Sequence, residues 1–451
     1  MQLKQNDELI LKIEKLSNLG FGIARYENLV IFIKGACPQD IIKTMISKVN
    51  KTYAFGDILE FITPSPHRVL PFCNMQKICG ACQIQFIDYE YQLTLKKEII
   101  KDAMRSIACS DFEIKNVIPS PRQTECRRKS QYSVCQVKKT GNFKIGYYQD
   151  KSHDVVNVKH CPIQPVICDK VIDYIRGNAN RFGLTGYNEL DHTGDLRHIV
   201  IRSSASNGNL LVVFVINNNF VSKNLKKLAE DVFKAFPEII GVSVNFNDLR
   251  TNVMLTGRTE CVYGSDVLNE KVCGVDFLIG ANTFFQVNIE SAANIFGFIK
   301  DHIKKTFQNP TVLDAYAGIT TFGFILADIC DLVVSVEENV ESVRLASLVR
   351  KMNNISNVEL HCGDAGEFFA KENRKFDVVI LDPPRKGCSV ESLDNAVKLA
   401  KSQIIYVSCN PATLARDLKY LIEKGAKVRF IQPFDMFCHT YHVESVAIIE
   451  V

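Results

Sequence analysis

Over residues 1–62 apolar and polar side chains alternate in short runs: LILKIEKL, IARYENLVIFI, IIKTMISKVN and DILEFIT. A period of two with β-branched enrichment predicts strands. Gly20, Gly22, Gly35 and Pro38 punctuate them, as turns require. Several short strands at this spacing predict a small barrel of the OB type. Pro64-Ser65-Pro66 reads as a linker. Beyond it, YEYQLTLKKEIIKDAMRSI is polar and amphipathic and predicts a helix. YSVCQVKKTGNFKIGYYQD alternates as a hairpin does, and HIVIRSS, NLLVVFVI, IIGVSVNFN and TNVMLTG continue the strand-rich pattern. Residues 63–280 therefore read as a middle α+β domain.

From residue 281 the rhythm changes. VLDAYAG, LVVSVEEN, VELHCGDA, FDVVILDPPR, IIYVSCNP and VRFIQPFDMF are strand-like, and helix-like stretches such as ESVRLASLVRKMNN and SLDNAVKLAKS lie between them. Strand–helix alternation predicts a doubly wound α/β domain over 281–451. Ligands of such sheets sit at the carboxyl ends of the strands. Here successive strands end at Asp314, Glu337, Asp364 and Asp382. Glu337 suits the ribose hydroxyls of an adenosine-bearing cofactor, and Asp364 suits an adenine amine. The first strand is followed by Ala-Gly-Ile-Thr-Thr, not by the GxGxxG of a dinucleotide site. A donor without a pyrophosphate, such as S-adenosylmethionine, fits better.

Composition narrows the class. The chain has 451 residues, 46% hydrophobic and 23% charged, with a net charge of +4; these are globular values and only mildly basic. The basic character is local: residues 96–159 hold 14 Lys and Arg against 7 Asp and Glu, with Arg127-Arg128-Lys129 and several Tyr and Phe among them. Basic strands with interleaved aromatics suit a nucleic-acid surface. The N-terminus does not read as a signal peptide, and no apolar run is long enough for a membrane span. The 16 cysteines are then expected in a reducing cytoplasm, most as buried thiols and some as ligands or nucleophiles.

Asp382-Pro383-Pro384-Arg385 follows one predicted strand and Val407-Ser408-Cys409-Asn410-Pro411 follows the next. Both therefore project at the same edge as the donor. Arg385 stands where amino-methylases often carry an aromatic, which argues against an exocyclic amine as target. A cysteine beside a methyl donor fits carbon methylation of a pyrimidine. A thiolate adding to C6 of uracil makes C5 nucleophilic, and a base must then remove the C5 proton. Glu444 is the candidate base, with His442 close by.

These segments resemble the uracil-5 RNA methyltransferase family: FFQVN (284–288), LDAYAG (313–318), the Glu337 strand end, LDPPRKG (381–387), SCNPATLARDL (408–418) and HVE (442–444). The resemblance implies Cys409 as nucleophile and Glu444 as base. It implies donor contacts at Gln286, Tyr316, Glu337 and Asp382, with Asp364 or Thr321 beside them, and Phe284 flanking the target base. One branch also carries an N-terminal TRAM barrel, which residues 1–62 resemble, and a [4Fe–4S] cluster. Its ligands fall on Cys73, Cys79, Cys82 and Cys161; the C-x5-C-x2-C run also suits zinc by spacing alone. That branch methylates 23S ribosomal RNA, whereas the tRNA T-loop branch usually lacks both features. The implied fold is an α/β Rossmann-like methyltransferase sheet behind an OB-like barrel and a middle α+β domain, with RNA as partner and no obligate protein partner. Two other classes compete: an RNA-binding protein with a dead methylase domain, and an iron–sulfur radical methylase. The intact Cys409, Glu444, Gln286 and Asp382 oppose the first. The separate donor site and the absence of a CxxxCxxC run oppose the second.

Overall fold

The computed structural model describes residues 3–451. Three sheets and one hairpin carry the chain. The N-terminal sheet has six strands in the order Glu8–Lys12, Ile41–Val49, Tyr53–Thr63, Leu29–Ile33, Gly22–Tyr26 and Lys15–Leu16. Alternation sends Ile42, Thr44 and Ile46 inward to meet Ile13, Ala24, Ile31, Ile33 and Ala54. The Pro-Ser-Pro segment after it is no free linker. Asp40, wholly buried, accepts from the Ser65 N–H at 2.8 Å and from two nitrogens of Arg68 at 2.8 and 2.6 Å. Arg68 in turn lies over the rings of Phe61 and Phe86.

The middle sheet has seven strands in the order Thr259–Gly264, Ile239–Phe246, Leu210–Ile216, Leu196–Ser203, Lys129–Gln136, Phe143–Tyr148 and Val155–Asn157. Leu210–Ile216 and Ile239–Phe246 are parallel, and the helix Lys223–Ala235 makes the crossover. The strands Leu196–Ser203 and Leu210–Ile216 are buried at every position. The reason is that both faces are covered. Helices Val166–Asn178 and Lys223–Ala235 pack on one, and the hairpin Val267–Gly280 with helix Ile289–Thr306 packs on the other. The segment TNVMLTG is irregular, contrary to its strand-like pattern. The side-chain amides of Asn245 and Asn247 take its carbonyls at Thr256, Val253 and Met254, replacing a ladder.

The third sheet runs Val358–Cys362, Leu332–Glu337, Thr311–Ala315, Phe376–Leu381, Ala400–Ser408, Glu444–Glu450 and Lys427–Phe434. The first five are mutually parallel, and Glu444–Glu450 runs antiparallel to both its neighbours. This is a Rossmann-like α/β sheet, and its strand order reverses direction at Thr311–Ala315. A crevice forms at such a switch point, outside the carboxyl ends of the strands.

One earlier segment joins this sheet. Ile114 and Ile118 bridge to Ile431 and Phe434. The helix Tyr89–Ala103, continued by a π-helical turn at Met104–Ala108, shares a core with Leu414, Leu418 and Leu421. Among the described residues no helix is long and apolar enough to cross a membrane.

Candidate active site

The carboxyl ends of adjacent strands bring together residues far apart in the chain. Ser408 pairs with Ser445 across the antiparallel ladder, so the next step in register sets Cys409 beside Glu444. Leu381 pairs with Tyr406 on the other side, which delivers Asp382 to the same edge. Cys409 is half-buried and Glu444 is 5% exposed.

The electrostatics follow from that crowding. Burial, and then the neighbouring Glu444 carboxylate, push the Cys409 thiol up to about 11. Arg385 opposes this by its charge and by a hydrogen bond to the sulfur. Burial and the charge of Asp382 raise Glu444 well above the ordinary carboxylate range, again against Arg385. Burial and Asp314 lift Asp382 to about 7. His442 is held down to about 4 by burial and by the cations Arg385, Lys96 and Arg127, so its ring is neutral near pH 7. Asp314, Asp382 and Glu444 thus crowd one desolvated corner, where Arg385 is the cation that acts on Glu444. Perturbed groups of this kind mark sites of chemistry more often than sites of mere packing.

Three other predicted residues, Tyr316, Glu337 and Asp364, lie at carboxyl ends of strands in the same sheet. Tyr316 follows the strand Thr311–Ala315 with φ 60°, and Gly318 and Thr320 also adopt left-handed φ, of 57° and 63°. The loop they form is tied down by Glu337, whose carboxylate accepts from the Gly318 N–H at 2.8 Å and the Asn339 N–H at 2.9 Å. Asp364 is exposed and caps the helix Ala365–Lys371, accepting from Glu367 N–H at 3.0 Å. Thr321 opens the short helix Thr321–Leu326. Gln286 is half-buried just before the helix Ile289–Thr306. Phe284 is 62% exposed, unusual for so large an apolar ring.

Arg385 acts on both Cys409 and Glu444, and pattern reasoning gave it no such place. Its only signal was its place after Asp-Pro-Pro. The loop leading to Glu444 is likewise held by a residue with no sequence signal. Lys96, on the helix Tyr89–Ala103, is wholly buried and bonds to Asp435 at 2.5 Å and to the Phe437 carbonyl at 3.0 Å. Asp435 also accepts from the Tyr89 hydroxyl at 2.7 Å.

A cleft of about 590 Å³ opens from this corner toward the middle sheet, lined by Arg127, Tyr148, Lys151, Arg385, Phe437 and His442 among others. Its size suits a nucleotide-sized guest. Lys151 also lies over Phe21 and Phe55 of the N-terminal barrel, 4.4 and 5.2 Å from the ring centroids. The basic and aromatic groups of the barrel, the middle sheet and the catalytic edge therefore form one continuous surface.

All 16 cysteines are free thiols, and seven of them are buried, fewer than expected. Cys73, Cys79, Cys82 and Cys161 line one small, largely apolar pocket. Burial makes three of them harder to ionise: Cys161 is lifted to about 12, and Cys79 and Cys82 also rise. Cys82 feels the charges of Cys161, Cys79 and Cys73. Among the described residues no group of three or more His, Cys, Asp or Glu side chains is drawn together as for a single metal ion. The donor set is all sulfur, the type that suits iron–sulfur chemistry.

Comparison with known proteins agrees with this geometry. Residues 2–59 match the TRAM domain family, and residues 259–451 match the tRNA (uracil-5-)-methyltransferase family. An uncharacterized RNA methyltransferase of Bacillus cereus is 34% identical over 449 residues, covering 99% of this chain and 97% of that protein. One from Clostridium tetani is 34% identical over 453 residues, with the same coverage. The crystal structure of Pyrococcus abyssi tRNA (uracil-54, C5)-methyltransferase in complex with S-adenosyl-L-homocysteine matches with a TM-score of 0.78 at 25% identity. The match covers 98% of this chain and 99% of that one. With an N-terminal TRAM barrel, a Rossmann-like catalytic sheet and full-length relatives of this kind, the chain belongs to the RNA (uracil-5-)-methyltransferase family.

Proposed function

We propose that this protein transfers the methyl group of S-adenosylmethionine to C5 of a uridine in 23S ribosomal RNA. The observation that carries the reading is the cross-strand placement of Cys409 beside Glu444, with Asp382 and Arg385 at the same strand ends. The target uridine is splayed out of its stack into the cleft, because a stacked base cannot offer C6 to a thiolate. Arg385 favours the thiolate of Cys409, which adds to C6. C5 then takes the methyl group, and Glu444 takes the C5 proton so that the thiol can leave. A carboxylate raised by burial is a stronger base than one in water, which matches that step. The neutral ring of His442 keeps a second positive charge away from Glu444.

Gln286, Tyr316, Glu337 and Asp382 hold the donor. Glu337 faces its ribose hydroxyls, and Asp364 or Thr321 lies toward its adenine. Phe284 offers an exposed ring against the target base. Cys73, Cys79, Cys82 and Cys161 would hold a [4Fe–4S] cluster, which bound there would supply a structural cross-link and no electrons to the reaction. The expected place of work is the cytoplasm, which suits free thiols.

A second reading has its own support. The Pyrococcus abyssi enzyme, which acts on tRNA, matches this chain over nearly its whole length. The same chemistry on the tRNA T-loop is therefore the alternative. The experiment assays deproteinised 23S RNA and tRNA side by side and maps 5-methyluridine by mass spectrometry. Methylation of 23S RNA alone supports the first reading, and methylation of tRNA alone replaces it with the second. Wild-type protein is expected to form a covalent complex with 5-fluorouridine RNA and Cys409→Ala none. An adduct with Cys409→Ala would defeat both readings.

A further inference from the structure

The helix Pro411–Glu423, which follows the nucleophile, grips the loop that follows Asp382. Asn410, its capping residue, and Thr413, Arg416 and Asp417 lie on one face by helical spacing, and that face meets residues 385–388. Asn410 Nδ2 and Thr413 Oγ1 donate to the Arg385 carbonyl at 3.2 and 3.3 Å. Arg416 Nη2 donates to the carbonyls of Lys386 at 2.9 Å and Cys388 at 3.3 Å. Asp417 accepts from the Cys388 N–H at 2.9 Å, from the Tyr406 hydroxyl at 2.6 Å and from Arg416 Nε at 2.7 Å. Gly387 turns the loop at φ 75°, and a Cβ there would lie 2.5 Å from both Arg416 Nη2 and Asp417 Oδ2. The loop and the pair touch without intervening space.

Asp417 is 1% exposed and takes no part in the methyl-transfer steps. A buried carboxylate is retained only where its hydrogen bonds are complete. Here one of its three donors belongs to the loop, and another is the arginine that holds two of the loop's carbonyls. The functional end of that loop is Arg385, whose hydrogen bond and charge favour the ionised form of Cys409. Small displacements at such a contact are costly to rate.

We infer that Arg416 and Asp417 are a positioning pair, locking the loop after Asp382 to the nucleophile's own helix so that Arg385 is held against Cys409. Thiol and guanidinium then move as one body. The inference rests on the reading of Cys409 as nucleophile.

The test uses Arg416→Met and Asp417→Asn in the full chain. Arg416 is half exposed, so its variant folds even where Asp417→Asn does not; thermal unfolding verifies each. Alkylation of Cys409 by iodoacetamide is followed peptide by peptide against pH, without RNA, with Cys135 as internal reference. The Cys409 midpoint is expected to rise by about 1 unit or more, the scale of losing an adjacent cation, while Cys135 does not move. The kcat for RNA methylation is expected to fall by about tenfold or more, the scale of a misplaced reacting group, with KM for RNA nearly constant and Arg416→Lys recovering part of the rate. A folded Arg416→Met protein with an unmoved Cys409 midpoint would overturn the inference. A shifted midpoint in a protein whose wild type methylates no uridine would keep the positioning role and defeat the methylation reading instead.

Discussion

Glu444 faces Cys409 across an antiparallel ladder, one step beyond the paired Ser408 and Ser445. Glu444 makes the Cys409 thiol harder to ionise. The thiol is raised by burial and by Glu444, and Glu444 is raised by burial and by Asp382. The proposed reaction uses them in sequence, the thiolate first and the base second, so the repulsion does not stop it.

Replacing Glu444 with Gln separates the two steps. The thiol loses a negative neighbour, so its ionisation becomes easier and addition to C6 proceeds. The proton on C5 then has no acceptor. We expect methylated RNA to remain attached to Cys409 and turnover to fall by about 10²–10⁴, the usual contribution of a general base. Denaturing gels and mass spectrometry of the RNA–protein adduct check this. Normal release of 5-methyluridine RNA by the variant would assign the proton to another group.

Asp314 and Asp382 make the free protein's stability depend on pH. Burial raises both to about 7, above an ordinary Asp near 3.9. A folded-state value above the unfolded one favours the fold at low pH, and that contribution disappears as pH rises through the folded value. These two groups therefore make the apoprotein gain stability as pH falls from about 7 toward about 4. Asp382→Asn should flatten that slope and raise the melting temperature at pH 8. Calorimetric scans across pH 5–8 decide it, and an unchanged slope in the variant would remove Asp382 as a source.

The buried pair Lys96–Asp435 ties the helix Tyr89–Ala103 to the loop before Glu444. Lys96→Met leaves the Asp435 carboxylate in the core with the Tyr89 hydroxyl and no cation. Breaking one partner of a buried pair costs about 3–5 kcal/mol. Urea unfolding should show a loss of that order. Lys96→Met combined with Asp435→Leu should recover much of it, because no charge is then stranded.

The sheet edge that carries the candidate site was legible because its strands are written in short runs. Asp382 and Cys409 follow strands that the alternation of strand and helix located, whereas the strand Glu444–Glu450 was not among the predicted runs and Glu444 stood out only through its His-Val-Glu motif. Lys96, Asp435 and Asp417 were not legible. A lysine in a polar amphipathic helix has the same local pattern whether it faces water or a carboxylate more than 300 residues away. The segment TNVMLTG misled for a related reason: its alternation is satisfied by Asn245 and Asn247 side chains and not by a neighbouring strand. The Pro-Ser-Pro segment read as a linker because the carboxylate that pins it, Asp40, lies in a different strand-and-turn unit. Local pattern carries the elements, while long-range charge pairing carries their placement.

Lys151 joins the barrel's aromatic patch to the cleft, lying over Phe21 and Phe55 while lining the cavity beside Tyr148. An exposed lysine in that place is expected to meet a phosphate and to read no base. Lys151→Gln should weaken binding to all RNA sequences alike and reduce the slope of log affinity against log salt by about 1, the loss of one phosphate contact. The methylation pattern should keep its uridine preference. Filter binding at several salt concentrations measures the slope. A loss confined to one RNA sequence, with the salt slope intact, would make Lys151 a reader of bases and place the backbone track elsewhere on the basic surface.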